Sequence, residues 1–249
     1  MPSRLLLLVT LLVATPALAG CPHPLRVGWD NWPPYHFKNS DGQMQGFAIE
    51  VLSQVSQSLG CKLEFRERPW KRQLQELQQG ETDIAMEAYY NSDRAQYANF
   101  SDSYSPRMAN LWIRPNQPLP GTTITQLLGN GFLLGITKEF YYGPEVEALL
   151  GHSNIQPVLA EEQNYAKLGK GRIQGFLGDW LATTWAIKQR GLQGKIVRSS
   201  LPIYSAPTFF MLSKKRLGPG FLSEFNKTMQ QMKKDGRYQA ILDKYTLLE

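Results

Sequence analysis

The chain has 249 residues, with 27 Lys+Arg against 21 Asp+Glu and a formal charge of +6. Hydrophobic residues make up 42% and charged residues 19%, a balance that excludes a disordered or collagen-like chain. Two cysteines exclude a disulfide-framework mini-protein and a four-thiolate zinc site, and the length suits one large domain or two modest lobes.

Residues 1–19 combine Arg4, the apolar run Leu5 to Ala14 and the small-residue pattern Ala17-Leu18-Ala19. That is the design of a cleaved secretory signal peptide, and its apolar run is too short to span a bilayer comfortably. An exported, soluble mature protein is expected to begin near Gly20, its charge lowered from +6 to +5 by loss of Arg4. The remaining basic residues are scattered, with a small cluster at Lys233, Lys234 and Arg237, and read as solvated surface. No nucleic-acid partner is expected.

Leu18-Ala19-Gly20-Cys21 also fits a lipobox, whose cysteine would carry lipid. Cys21, however, stands four residues before the first predicted strand, and Cys61 directly precedes the second. If those strands are parallel neighbours, both cysteines lie at one end of the sheet within bridging reach. A Cys21–Cys61 disulfide in an oxidising compartment is the expectation, with a lipidated Cys21 as the alternative.

Leu25 to Trp29 reads as a strand, followed by the turn Asn31-Trp32-Pro33-Pro34-Tyr35. Phe47, Val51, Leu52, Val55 and Leu59 form a helical face ended by Gly60. Lys62 to Phe65 alternates as a strand, Trp70, Leu74 and Leu77 mark a helix stopped by Gly80, and Asp83 to Met86 is a third strand. This alternation predicts a parallel α/β layer. Residues 106–120 hold four prolines and the apolar run Met108 to Ile113, read as a crossing segment and a loop. A second series follows: strands at 132–136, 155–159, 173–177 and 195–197, helices at 144–150, 161–168 and 179–189, and a return strand at 208–212. Helices at 221–232 and 238–245 close the chain.

Local enzyme signatures such as HExxH, CxxC, GxSxG and the phosphate-binding loop are absent, and the three histidines lack metal-like spacing. No cofactor or metal is expected. Binding signals are clearer. Arg94 follows the third strand in Asn91-Ser92-Asp93-Arg94, where a guanidinium fork faces ligands of an open α/β sheet. Asp179 stands where a strand passes into a helix, able to cap that helix or to meet an ammonium group. Trp32, Tyr35, Trp70, Tyr89, Tyr90, Tyr141 and Tyr142 cluster near the same loop ends and suit a rigid pocket wall. Glu87 ends the third strand and either contacts a polar ligand or pairs with a lysine.

Five segments, 25–37, 46–60, 80–104, 169–180 and 232–245, resemble in order and spacing the periplasmic amino acid-binding proteins of ABC importers, solute-binding protein family 3. The resemblance implies a two-lobed α/β fold of the periplasmic-binding-protein type (type II), each lobe a mostly parallel sheet flanked by helices and joined to the other by two hinge strands. Lobe boundaries are expected at 20–105 plus 207–249 and at 106–206. Arg94 matches the family arginine that grips the ligand α-carboxylate, and Asp179 the aspartate that grips the α-amino group. Tyr35 and Trp70 match cleft-lining positions. The implied partners are an amino acid-like ligand and the membrane subunits of an importer, and the implied state is a periplasmic monomer. The loop Glu87-Ala88-Tyr89-Tyr90 and the region Ile136 to Gly143 depart from the family pattern and make the site bulkier and more aromatic. A periplasmic dehydratase on the same scaffold, and a sensor docking to a membrane receptor, are the rival readings.

Overall fold

The computed structural model describes residues 21, 23–138 and 140–246, so the expected signal peptide lies outside the described residues. Strand β1 (Leu25–Trp29) is followed by a small ribbon of β2 (Phe37–Lys38) and β3 (Met44–Gln45), then α1 (Phe47–Ser58), β4 (Leu63–Glu67), α2 (Trp70–Gln79) and β5 (Ile84–Ala88). Helix α3 (Ser92–Tyr97) and strand β6 (Ala98–Phe100) lead into the long β7 (Ser105–Ile113). The second series is α4 (Ile124–Gly129), β8 (Leu134–Thr137), α5 (Pro144–Glu147), β9 (Ile155–Val158), α6 (Glu161–Gly169), β10 (Gly175–Asp179) and α7 (Trp180–Gln189). The chain returns through β11 (Val197–Ser213) and closes with α8 (Pro219–Lys234) and α9 (Arg237–Thr246).

The main sheet runs β4-β1-β5-β11-β7-β10-β8-β9. Pairings β1–β4, β1–β5, β8–β9 and β8–β10 are parallel, as the strand–helix alternation requires. The two halves meet where β7 and β11 run antiparallel from Val197↔Ile113 to Thr208↔Ser105. The fold is thus two α/β lobes joined by two long strands, and the expected boundaries at 105/106 and 206/207 fall inside those strands.

One core surrounds β1 and β5 and is filled by Val27, Leu52, Phe210, Phe225 and Met229, each fully buried. A second, around Leu111, Leu134 and Leu177, belongs to the other lobe. Leu181 and Ala182 of α7 join the first core, and Trp185 of the same helix packs 5.5 Å from Tyr245 on α9. The lobes therefore touch on this side, and the cleft between them is closed down.

Cys21 and Cys61 form a disulfide with a Cα separation of 5.0 Å. It follows from register: Leu25 pairs with Leu63 at the start of two parallel neighbours, which brings the preceding residues together. Val197, the last residue of the strand expected at 195–197, and the strand expected at 208–212 belong to one 17-residue strand, with Lys195 and Ile196 outside it. Pro202 and Pro207 lie within it: the register shifts around Pro202 accommodate the first, and Pro207 sits opposite Pro106 on β7. Helix α4, in a stretch given no element from sequence, is announced by Thr123, whose side chain accepts from Gln126 N at 3.2 Å.

Candidate functional site

The turn after β1 carries Asp30, Trp32, Tyr35 and His36 to the cleft. Trp32 N donates to His36 O at 2.8 Å, and the Trp32 and Tyr35 rings lie 4.5 Å apart. His36 is buried, with Nδ1 2.6 Å from Asp30 O. Burial lowers its pKa, against the opposing bond and charge of Asp30, and keeps the imidazole neutral near pH 7. Asp30, Trp32 and His36, with Trp70, Met86, Glu87, Tyr89 and Arg94, line a chamber of about 200 Å³, whereas Tyr35 is buried behind it.

Arg94 reaches the chamber because α3 begins directly after β5. Asn91 caps that helix, accepting from Asp93 N and Arg94 N. The guanidinium lies 5.4 Å from the centroid of Trp70, which opens α2, and donates to Tyr89 O at 3.2 Å. Among the described residues no carboxylate pairs with it. A half-buried guanidinium held by a ring and one carbonyl keeps donors for a planar anion.

Glu87 also borders the chamber, in a left-handed conformation (φ 51°). Its carboxylate accepts from Tyr104 OH at 2.6 Å and from Thr208 Oγ1 at 2.9 Å. Tyr104 precedes β7 and Thr208 lies on β11, so Glu87 braces both crossing strands at the hinge. Burial, with the charge of Glu87, pushes the Tyr104 phenol well above its ordinary range and keeps it a donor.

Asp179 ends β10, caps α7 through Ala182 N at 3.0 Å, and accepts a 2.8 Å bond from Tyr35 OH. It lines a smaller cavity of about 10 Å³ with Tyr89, Ala109, Phe140, Tyr141, Tyr142 and Tyr204. Tyr142 is buried and anchored, its hydroxyl accepting from Thr137 N at 2.9 Å.

The structure brings Trp32, Trp70, Glu87 and Arg94 together around one chamber, and Asp179 and Tyr142 around the neighbouring one. Tyr89 stands in both walls. Tyr90 is 64% exposed and packs 5.1 Å from Phe100, lining neither cavity. As β5 ends, alternation turns Tyr89 inward and its neighbour outward. Asp30, Met86, Phe140 and Tyr204 were not singled out by sequence. Phe140 and Tyr204 had no local signal, whereas Asp30, at the C-terminal end of the first strand, stands where open sheets bind ligands.

The family model for bacterial extracellular solute-binding proteins, family 3, matches residues 25–248, and the chain belongs to that family. The histidine-binding periplasmic protein of Salmonella typhimurium is 25% identical over 250 residues, covering 93% of this chain and 91% of its own length. The L-cystine-binding protein TcyA of Bacillus subtilis is 25% identical over 218 residues, covering 85% of this chain and 75% of its own. Among solved structures, an ancestral cationic amino acid solute-binding protein superposes with a TM-score of 0.76 at 23% identity, over 90% of this chain and 96% of the other. No helix among the described residues is long and apolar enough to cross a membrane.

Proposed function

We propose that this solute-binding protein captures a small zwitterion, an amino acid or a close derivative, between its lobes in the periplasm. As a monomer it hands the ligand to the membrane subunits of an ABC importer. Arg94 carries the reading: a guanidinium without a carboxylate partner among the described residues, walled by Trp70 and Trp32, in a chamber of amino-acid size. It takes the α-carboxylate in bidentate fashion. Asp179, across the Tyr89 wall, takes the α-amino group when the aromatic side chains around it part. The indoles of Trp32 and Trp70 flank the ligand side chain, with Asp30 at its far end. Lobe 1 is taken as 20–105 plus 207–249 and lobe 2 as 106–206.

Closure removes water and strengthens both charge-assisted bonds, so capture and lobe closure form one equilibrium. The ligand leaves unchanged. Glu87 and Asp179, the acids a dehydratase would draw on, are held as hydrogen-bond acceptors by Tyr104, Thr208 and Tyr35. The relatives named for histidine and cystine agree with an amino acid ligand.

A thermal-shift screen of the mature protein over amino acids, opines, polyamines and dicarboxylates tests this directly. A concentration-dependent rise in Tm with one or a few α-amino acids is expected. A response confined to ligands without a carboxylate would overturn the assignment.

A further inference from the structure

Trp32, which borders the Arg94 chamber, also lines a larger cavity, of about 500 Å³. Trp32 comes from the first lobe. Thr137 at the end of β8, Phe140, Glu161 at the start of α6, Tyr165 one turn on and Trp185 of α7 come from the second. The amino acid reading gives this space no role.

Two of its polar groups keep capacity for a further partner. Glu161 Oε1 accepts from Thr183 Oγ1 at 2.6 Å and from Tyr165 OH at 2.9 Å, yet among the described residues no cation pairs with the carboxylate. Arg190, also in the wall, pairs with Glu162 at 2.9 Å instead. Thr137 is 3% exposed, and among the described residues its Oγ1 has no hydrogen-bond partner. The chain also makes room for the carboxylate. A Cβ at Gly178 would lie 2.3 Å from Thr183 Oγ1 and 2.8 Å from Glu161 Oε1. A carboxylate withdrawn from water without a protein cation is retained where something else neutralises it. Arg190 stands 5.7 Å from the Tyr165 ring centroid, while Trp32, Phe140 and Trp185 line the same cavity and favour a cation with apolar flanks.

We infer that this cavity is a second binding site, for a small organic ammonium ion, with Glu161 as counter-charge, Trp32, Phe140 and Trp185 as the aromatic walls, and Thr137 Oγ1 as a further polar contact. Its walls come from both lobes, so the cation binds the closed form and favours closure. Where the amino acid reading of Arg94 holds, linkage requires that the cation and the amino acid tighten each other's binding. The second site itself does not depend on that reading.

The test is fluorescence and calorimetric titration of the mature protein with choline chloride at pH 8, with 3,3-dimethylbutan-1-ol as the uncharged isostere. Saturable quenching by choline and none by the alcohol is expected. Glu161→Gln, which keeps an acceptor for Thr183 and Tyr165, is expected to weaken choline at least tenfold. Arg94→Ala is expected to leave choline binding unchanged. A second readout needs no variant. The carboxyl, pushed up to about 7 by burial, is largely protonated at pH 6, so choline should release a proton there, seen as a heat that varies with the buffer. The other ionisable groups facing it are Glu162, Tyr165, Asp179 and Arg190. Equal binding of the alcohol, undiminished binding by Glu161→Gln, absence of proton release, or no saturable binding would overturn the inference. Loss of choline in Arg94→Ala would place the cation in the Arg94 chamber and overturn it as well, without touching the amino acid reading.

Discussion

The phenol of Tyr35 donates a 2.8 Å hydrogen bond to Asp179 Oδ1, joining residues 144 positions apart and on opposite lobes. One lobe's turn thus holds the other lobe's carboxylate in the closed form. A hydrogen bond to a charged acceptor contributes about 1.5–3 kcal/mol. Tyr35→Phe removes it with little change in packing, and the ligand-free protein should shift toward open forms. Small-angle scattering should record a larger radius of gyration than for the wild type. An unchanged radius would mean that the α7–α9 packing alone keeps the lobes together.

Glu161 gives the stability a pH dependence. Burial raises its pKa to about 7, while the bonds from Thr183 and Tyr165 oppose the rise and the charges of Asp179 and Glu162 add to it. The folded state then binds more protons than the unfolded state between its ordinary value of 4.5 and about 7, so stability falls as pH rises through that window and levels off above it. At about 1.4 kcal/mol per unit the loss is at most roughly 3–4 kcal/mol, an upper bound because the residue keeps some solvent exposure. Glu161→Gln should flatten the profile and be more stable than the wild type at pH 8. Urea unfolding at pH 5 and pH 8 checks this, and identical slopes for both proteins would contradict it.

The Cys21–Cys61 disulfide closes a loop with a sequence separation of 40. Chain-entropy arithmetic for a loop of that length gives about 4 kcal/mol, and native distortion usually lowers the measured value. Cys21→Ser combined with Cys61→Ser should lower stability by about 2–4 kcal/mol while leaving ligand affinity close to wild type, because the bridge lies at the N-terminal ends of β1 and β4, away from Arg94. Equal stability of the two proteins would show that the bridge restrains little.

Much of this fold is legible in local pattern. Trp70, Leu74 and Leu77 give α2 its period, and Gly80 takes the left-handed φ of 81° that ends it. The parallel pairing of β1 with β4 follows from strand–helix–strand order, and from it the disulfide. Strand β11 is longer than the two short strands expected there, because its continuity across Pro202 and Pro207 is set by pairing with β7 and not by local pattern. The site is less legible. Arg94 is marked by its place after β5, but which of Tyr89 and Tyr90 faces the cleft depends on how that strand ends. The environment of Glu161 is set by Thr183 and Gly178, residues of β10 and α7 that no spacing in the sequence joins to it.

Calorimetric titration of Arg94→Ala against the wild type, with the amino acid found by the thermal-shift screen, bears most directly on the central claim. Removing the guanidinium leaves a buried carboxylate unpaired, at a cost of about 2–5 kcal/mol, which corresponds to a loss of affinity of roughly thirtyfold to several thousandfold. A loss in that range, with the fold intact by circular dichroism, is the expected result. Affinity equal to that of the wild type would remove Arg94 from the site and with it the proposed mode of capture.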